Sequence, residues 1–361
     1  MDFSHILNSR KITTSVVLGV FLTLLSFGRL YAQEQKAPEN GQETKTEEKF
    51  DPTETIMEHI GDSHFYHVGG GIAFPLPVIL YTNKGVEIFM SSVFGHEGEE
   101  IHQGKYYKYA LVHDKVKAVT GDDKTIDATA SVFDLSITRN VASLWMSVIL
   151  LLIIFLSVAS SYKKRVGKAP KGLQSFLEPV ILFIRDDVAL PNIGYKYARF
   201  MPLLLTVFFF ILINNLIGLI PFFPGGSNLT GNIAVTLVLS VITLLVVNLN
   251  GNKHYWGHIF FPGTVPIWLW PLWWVVELLG IFSRPFALMI RLFANITAGH
   301  IIVLSLISLI FVFKSVAIAP VSVAFVVFMD ILELLVALLQ AFIFTLLTSL
   351  FIGSAIEEHH H

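Results

Sequence analysis

Two apolar stretches near the C-terminus constrain this chain more than any other feature. The sequence from Pro271 to Phe313 is almost continuously apolar for 43 residues, and Ala319 to Ile352 adds another 34. As helices these would measure roughly 65 Å and 51 Å, against a hydrocarbon core of about 30 Å. Such runs need lipid as their solvent, and they must tilt, kink at Pro285 or lie partly along the bilayer. Composition agrees, with 53% of the 361 residues hydrophobic and 14% charged, where soluble domains carry about 25% charged residues. A soluble globular enzyme is excluded. The absence of Cys excludes disulfides, thiolate metal sites, iron–sulfur clusters and cysteine nucleophiles. A net charge of −2 gives no electrostatic footprint for nucleic acid.

The charges divide the chain into two regimes. Residues 33–137 hold 18 of the 27 acids and 9 of the 25 bases. Residues 200–356 hold only seven charged side chains: Lys253, Glu277, Arg284, Arg291, Lys314, Asp330 and Glu333. The pattern predicts a polar, acidic module at 33–137 and a membrane domain at 138–361. Residues 1–32 have the form of a signal peptide. Arg10 and Lys11 precede an apolar run from Ile12 to Phe27, and Leu30-Tyr31-Ala32 offers a cleavage site.

Residues 33–50 are poor in apolar side chains and read as disordered. In 51–135, the segments PLPVILYT, GVEIFMSSVF and KYYKYALV predict strands, with Asn83-Lys84-Gly85 as a turn. His59, His64, His67, His96, His102 and His113 match no metal-ligand spacing and read as ordinary surface residues. GHEGEEIHQGKY (95–106) superficially suggests a P-loop. Its glycine spacing is wrong and Tyr106 stands where Ser or Thr is required, so no nucleotide, cofactor or metal is expected in this chain.

Val141–Ser160 predicts the first crossing, and the basic cluster KKRVGKAPK that follows places its end in the cytoplasm. The acidic module then lies outside, in agreement with the signal. Residues 172–186 are amphipathic but too short to span, which predicts an interfacial helix. Phe200–Ile220 and Asn232–Leu249 predict a hairpin joined by PFFPGGSNLTG. The two long runs complete five crossings, with Lys314 in an external connection and the C-terminal EEHHH in the cytoplasm. The fold class is an all-α polytopic membrane protein with two long tilted C-terminal helices, an interfacial helix and a small extracytoplasmic β-containing module.

A charge inside the bilayer is costly and marks a functional position. Arg291 lies twenty residues past Pro271 and twenty-three before Lys314, so neither end is within easy snorkelling reach. It stays protonated at every accessible pH and therefore demands an acid or a water-filled cavity. Glu277, Asp330 and Glu333 are the acids of this domain, so a structural ion pair with one of them is the plain alternative. His300 is nine residues on, about 13 Å further out and half a turn round the helix. On the last helix Glu333 precedes Gln340 by seven residues, two turns on one face. If Gln340 is level with Arg291, His300 and Glu333 share a depth on the outer side, and Glu277 lies on the cytoplasmic side. A fixed cation between two titratable sites suits a proton path interrupted by a barrier, because His titrates near neutrality. A self-contained proton-coupled secondary transporter is the other reading, although no repeat relates 141–249 to 264–352.

RPFALMIRLFANITAGHIIV (284–303) and LLQAFIFTLLTSLFI (338–352) resemble the signature segments of subunit a of the F-type ATP synthase. NNLIGLIP (214–221) and GNIAVTLVLS (231–240) are similar to the family's middle hairpin. The likeness covers most of 140–357 and, more weakly, the PLPVILYT region. It implies a non-catalytic, multi-pass stator subunit of a bacterial inner (plasma) membrane. The implied partners are protons, lipid, a ring of c subunits, b-type peripheral stalk subunits and the other synthase subunits. On this resemblance Arg291 is the essential arginine facing the ring, and Asn295 is the Asn of the family's RLFxN. Gln340 is the glutamine beside the arginine, Glu277 belongs to the cytoplasmic access path, and His300 with Glu333 forms the outer pair. The acid and histidine are exchanged relative to many bacterial relatives, as in mitochondrial ones. Gly218 stands where some relatives carry an acid, and the long N-terminal module exceeds the family pattern.

Overall fold

The computed structural model describes residues 61–69, 72–95, 100–112, 114–121, 125–127, 129–220, 225, 227–262, 265–313 and 318–357. The signal, the stretch 33–50, His59, His96, His113, Lys314 and the last four residues lie outside the described residues, as does the side chain of His67.

Among the described residues, nine short antiparallel strands build the N-terminal module. β1 (Phe65–Gly69) pairs with β2 (Ile72–Pro75). β3 (Pro77–Thr82) pairs with β4 (Gly85–Met90) across the two-residue turn Asn83-Lys84, as the sequence predicts. β5 (His102–Gln103), β6 (Lys108–Val112), β7 (Lys115–Thr120) and β8 (Thr125–Ile126) form a four-stranded sheet. β9 (Val132–Asp134) returns to β3 and makes the order β4-β3-β9. Val78, Leu80, Phe94, Tyr109, Val116 and Ala118 fill the core. Glu87 is buried among them and fully engaged. It accepts from Lys105 N at 2.7 Å, Tyr106 N at 3.0 Å and the Tyr109 hydroxyl at 2.7 Å.

One sequence expectation fails in this module. His64 is not a surface histidine: it is 3% exposed, with Nε2 3.0 Å from Asp134 Oδ2. The partner is seventy residues away in sequence and arrives only because β9 pairs with β3. His102 is half-buried and packs on Phe89, with ring centroids 4.7 Å apart.

The described residues from 139 onward are mainly helical, which lets each segment satisfy its own backbone in lipid. α1 (Arg139–Lys164) ends in the predicted basic cluster. α2 (Leu173–Phe183) runs through a π-helical turn at Ile184–Ala189 into α3 (Leu190–Ile193), so the segment predicted as 172–186 continues to residue 193. α4 (Tyr197–Gly218) and α5 (Ile233–Asn250) form the hairpin. α6 (Lys253–Phe260), which the apolar pattern does not predict, starts where Asn252 Oδ1 accepts from Tyr255 N at 2.8 Å. That is an ordinary N-cap.

α7 (Trp270–Val312) and α8 (Ala319–Ile356) are the two long helices, with Pro271 and Pro320 in their first turns. α7 is assigned as one helix straight through Pro285. Among the described residues, five helical segments are long and apolar enough to cross a membrane. Phe200, Leu204, Phe208 and Ile211 of α4 share one buried core with Leu288, Leu292 and Ile296 of α7 and Ala341, Phe344 and Ile352 of α8. Gly353 lets α8 close on α3, because a Cβ there would stand 2.0 Å from Asn192 O.

The module is fastened to the helices by buried polar contacts. Arg139 Nη2 donates to Gly61 O at 2.5 Å, Arg139 N to Ser63 O at 2.8 Å, and Asn140 N to Asp62 Oδ1 at 3.0 Å. Burial pushes the Asp62 carboxyl above its ordinary value, against the opposing pull of Asn140, Thr138 and the Arg139 charge. Burial alone would lower His64, but its bond to Asp134 and the charges of Asp134 and Asp62 hold it above its ordinary value. Burial opposes the Asp134 charge as well, yet His64 and Ser136 together hold that carboxyl below the usual range.

Candidate functional site

α7 carries four of the residues singled out from sequence, Glu277, Arg291, Asn295 and His300, and α8 packs along it carrying Glu333 and Gln340. His300 on α7 and Glu333 on α8 are brought together, with Nε2 3.7 Å from Oε1. Glu333 is 6% exposed and His300 is half-buried. Glu333 Oε1 is buried and has no hydrogen-bond partner among the described residues. Gly299 leaves room for the Glu333 carboxylate. A Cβ there would stand 2.8 Å from Glu333 Oε1.

Uncharged polar side chains surround this pair, and charge-based reading of the sequence misses them. Asn215 Nδ2 donates to Ala337 O at 3.1 Å, and the Thr230 hydroxyl donates to Asn215 Oδ1 at 2.7 Å. The Thr297 hydroxyl donates to Gly231 O at 3.3 Å. Thr230 is fully buried and Asn215 is 3% exposed. The signal available in the sequence is Asn214-Asn215 inside an otherwise apolar run.

Arg291 sits nine residues before His300 and is exposed on the surface of the helix pair. Asn295, one turn on, is exposed on the same face, as are Ala287, Ala294 and Ala298. Among the described residues the guanidinium makes no ion pair, so the structural pair with Glu277, Asp330 or Glu333 is not formed. Gln340 is buried, 4% exposed. Its depth follows from two cross-contacts. His300 opposite Glu333, in antiparallel helices of equal rise, sets Arg291 level with residue 342. The Ser322 hydroxyl bonded to Leu306 O sets it level with residue 337. Gln340 falls between these two limits, at the level of the arginine.

Glu277 is fourteen residues before Arg291 and half-buried, at the end of α7 remote from His300. Arg284, two turns on from it, lies over the Phe351 ring at 5.6 Å. Asn248, Tyr255 and Arg284 line a small cavity there, where the Tyr255 hydroxyl donates to Asn248 Oδ1 at 3.1 Å. Burial pushes the Tyr255 phenol up, and the charges of Arg284 and Glu277 reach it with opposite effects.

The fold and this arrangement define a class: polytopic membrane proteins with titratable side chains placed at different depths between long helices, the signature of ion passage. Comparison with known proteins narrows the class. Residues 141–353 match the family described as ATP synthase A chain, more than half of the sequence, and the chain belongs to that family. Residues 55–135 match a separate domain of unknown function, DUF8433. The ATP synthase subunit a of Chloroherpeton thalassium is 50% identical over 235 residues, covering 63% of this chain and 69% of the relative. ATP synthase subunit a 2 of Chlorobaculum tepidum is 49% identical over 233 residues, 62% of this chain and 64% of the relative. The subunit a of an Anaeromyxobacter species is 44% identical over 240 residues, 63% of this chain and 56% of the relative. The last two are thus matched over less than two thirds of their own length. Family membership does not favour the self-contained transporter.

Proposed function

We propose that this chain is the proton-conducting stator subunit of a rotary ATP synthase membrane sector. In this reading Arg291 faces a ring of c subunits, and two offset half-channels meet the ring on either side of it. The observation that carries the proposal is the exposure of Arg291. A permanent cation in the middle of a lipid-length apolar helix stands on the protein surface with no ion pair among the described residues. Its counter-charge must come from outside the chain, and it must come and go if the assembly is to turn.

A ring carboxylate must be neutral while it faces lipid and can ionise beside Arg291, where an opposite charge stabilises the anion. On the outer side, Glu333 and His300 exchange a proton through water and hand it to the ring. On the cytoplasmic side, the released proton leaves past Glu277 and the cavity of Asn248, Tyr255 and Arg284. Gln340 and Asn295 position the carboxylate at the level of Arg291, and the fixed charge repels protons that would cross directly. A membrane potential contributes about 2.3 kcal/mol per charge per 100 mV to this cycle.

Charge placement supports the topology. The cluster 163–171 puts the far end of α1 in the cytoplasm, and 33–137 then forms an extracytoplasmic module following a signal at 1–32. The b-type stalk subunits would hold this chain still against the ring.

The deciding experiment is ATP-driven proton pumping in inverted membrane vesicles carrying Arg291→Ala, beside passive proton leak in the same vesicles. Lost pumping in an assembled complex, with increased leak, supports the reading. Pumping at the wild-type rate overturns it.

A further inference from the structure

The β module lies outside the part of the chain that matches the ATP synthase family, and nothing in the stator reading uses it. Its contact with the helices is nevertheless a line of buried hydroxyls. The Tyr66 hydroxyl, on β1, donates to Gly225 O at 3.0 Å and lies 3.4 Å from Ser143 Oγ on α1. Ser227, in the α4–α5 turn, donates to Ser143 Oγ at 2.5 Å. Tyr66 is 5% exposed, and Ser143 and Ser227 are 2% exposed. Three segments far apart in sequence therefore join through three hydroxyl groups shielded from bulk solvent.

The line continues toward the titratable pair. The point at which Gly218 would carry a Cβ is 3.5 Å from Ser227 O and 3.9 Å from His300 Nε2. The Ser227 backbone and the His300 ring thus flank one position that no side chain occupies, and His300 meets Glu333. Two buried polar atoms around this route, Asn228 Nδ2 and Glu333 Oε1, lack partners among the described residues. Orphans of this kind are satisfied by water. Apart from Asp330 on α8 and Ser305 on α7, the outer surface of the helix pair at this level is apolar, with Ile301, Ile302, Ile331, Leu332, Leu334 and Leu335 exposed there.

We propose that the outer proton path enters through the seam between the β module and the membrane helices, with the hydroxyls of Tyr66, Ser143 and Ser227 as its first protein groups. The inference rests on the stator reading. Each step moves one proton. A hydroxyl oxygen accepts a proton on its outer side and releases its own on the inner side, so it ends neutral, and rotation of the O–H bond resets it. Water beside Gly218 completes the transfer from Ser227 to His300, where the proton is held before it passes to Glu333. Nothing is oxidised or reduced. The module is then the vestibule of the channel and not an appendage to it.

The test uses the assembled complex in membrane vesicles, reading proton flux in Tyr66→Phe, Ser227→Ala and Ser227→Thr, with Glu333→Gln as the gauge of the stator reading. Tyr66→Phe and Ser227→Ala are expected to lower flux several-fold, and Ser227→Thr, which keeps the hydroxyl, to restore it. Wild-type flux in both hydroxyl-free variants, with Glu333→Gln still impaired, would make the seam a structural joint and overturn this inference alone. A Ser227→Thr variant as slow as Ser227→Ala does the same. Wild-type flux in Glu333→Gln overturns the stator reading and this inference with it. Where Tyr66→Phe fails to assemble, Ser143→Ala takes its place with the same two outcomes.

Discussion

Arg139 and Arg291 both belong to membrane helices, and the chain treats them in opposite ways. Arg139 is 6% exposed, bonded to Gly61 O, and close enough to Asp62 to feel its charge. Arg291 is exposed and has no counter-charge in the described structure. The first guanidinium is spent on holding two parts of one chain together. The second is left available, which destabilises the isolated subunit in lipid and is tolerable only where another molecule supplies the partner. Whether a buried or membrane charge is structural or functional is therefore legible from whether its own chain satisfies it.

Substitution of the two arginines should separate these roles most clearly. Arg291→Ala is expected to abolish ATP-driven pumping while leaving the thermal midpoint of the assembled complex unchanged, read by vesicle acidification and by calorimetry. A large loss of stability instead would place Arg291 in the same category as Arg139. Next in size, Glu333→Gln keeps the shape of the outer pair but cannot exchange a proton, and flux should fall by roughly 10²-fold. A fall of less than twofold would remove Glu333 from the path. Gly299→Ala should reduce flux several-fold, because the added Cβ pushes the Glu333 carboxylate away from His300. Its helix propensity favours the substitution by about 1 kcal/mol, so reduced flux without reduced stability is the informative result.

Arg139→Leu, by contrast, should act on the module. Removing one side of a buried charged contact costs about 3 kcal/mol, seen as faster proteolysis of the module in intact membranes. The smallest effect is a pH dependence of the same region. His64 is held above its ordinary value of 6.5, so its contribution is complete below that pH and fades as pH rises through the higher folded value. Asp134 is held below 3.8, so its contribution is present above that pH and fades as pH falls through the lower folded value. Asp62, raised from 3.8 by burial, favours the acid side. Protection of the module should be greatest in the mildly acidic range and decline toward pH 8, and His64→Gln should flatten that decline.

The long helices were legible in the sequence because lipid imposes one simple demand on them. Predicted boundaries at 141–160, 200–220 and 232–249 match α1, α4 and α5 to within a few residues, since charge or Pro and Gly ends each apolar run. Arg291 and Glu333 stood out for the same reason, as charges where none is expected. The β module was legible only in β3, β4 and β6. β5 and β8 have two residues each, and β9 pairs with β3 from fifty residues away, so no local pattern specifies them. His64 was misread because Asp134 is distant in sequence. Asn215, Thr230 and Thr297 were missed because an uncharged polar residue in an apolar helix leaves little trace until its partner is seen.

α7 has a consequence for how such a chain can change. Glu277, Arg291 and His300 are carried on one continuous helix, so their separations of fourteen and nine residues are fixed at about 21 Å and 13 Å by helical rise alone. A side chain can be exchanged for another, even an acid on one helix for a histidine on its neighbour, and the depth of every group is kept. Deleting a single residue between Arg291 and His300 would turn one end of the rod by about 100° relative to the other and shift every later group off its face. Substitutions along this helix keep every depth, whereas insertions and deletions do not.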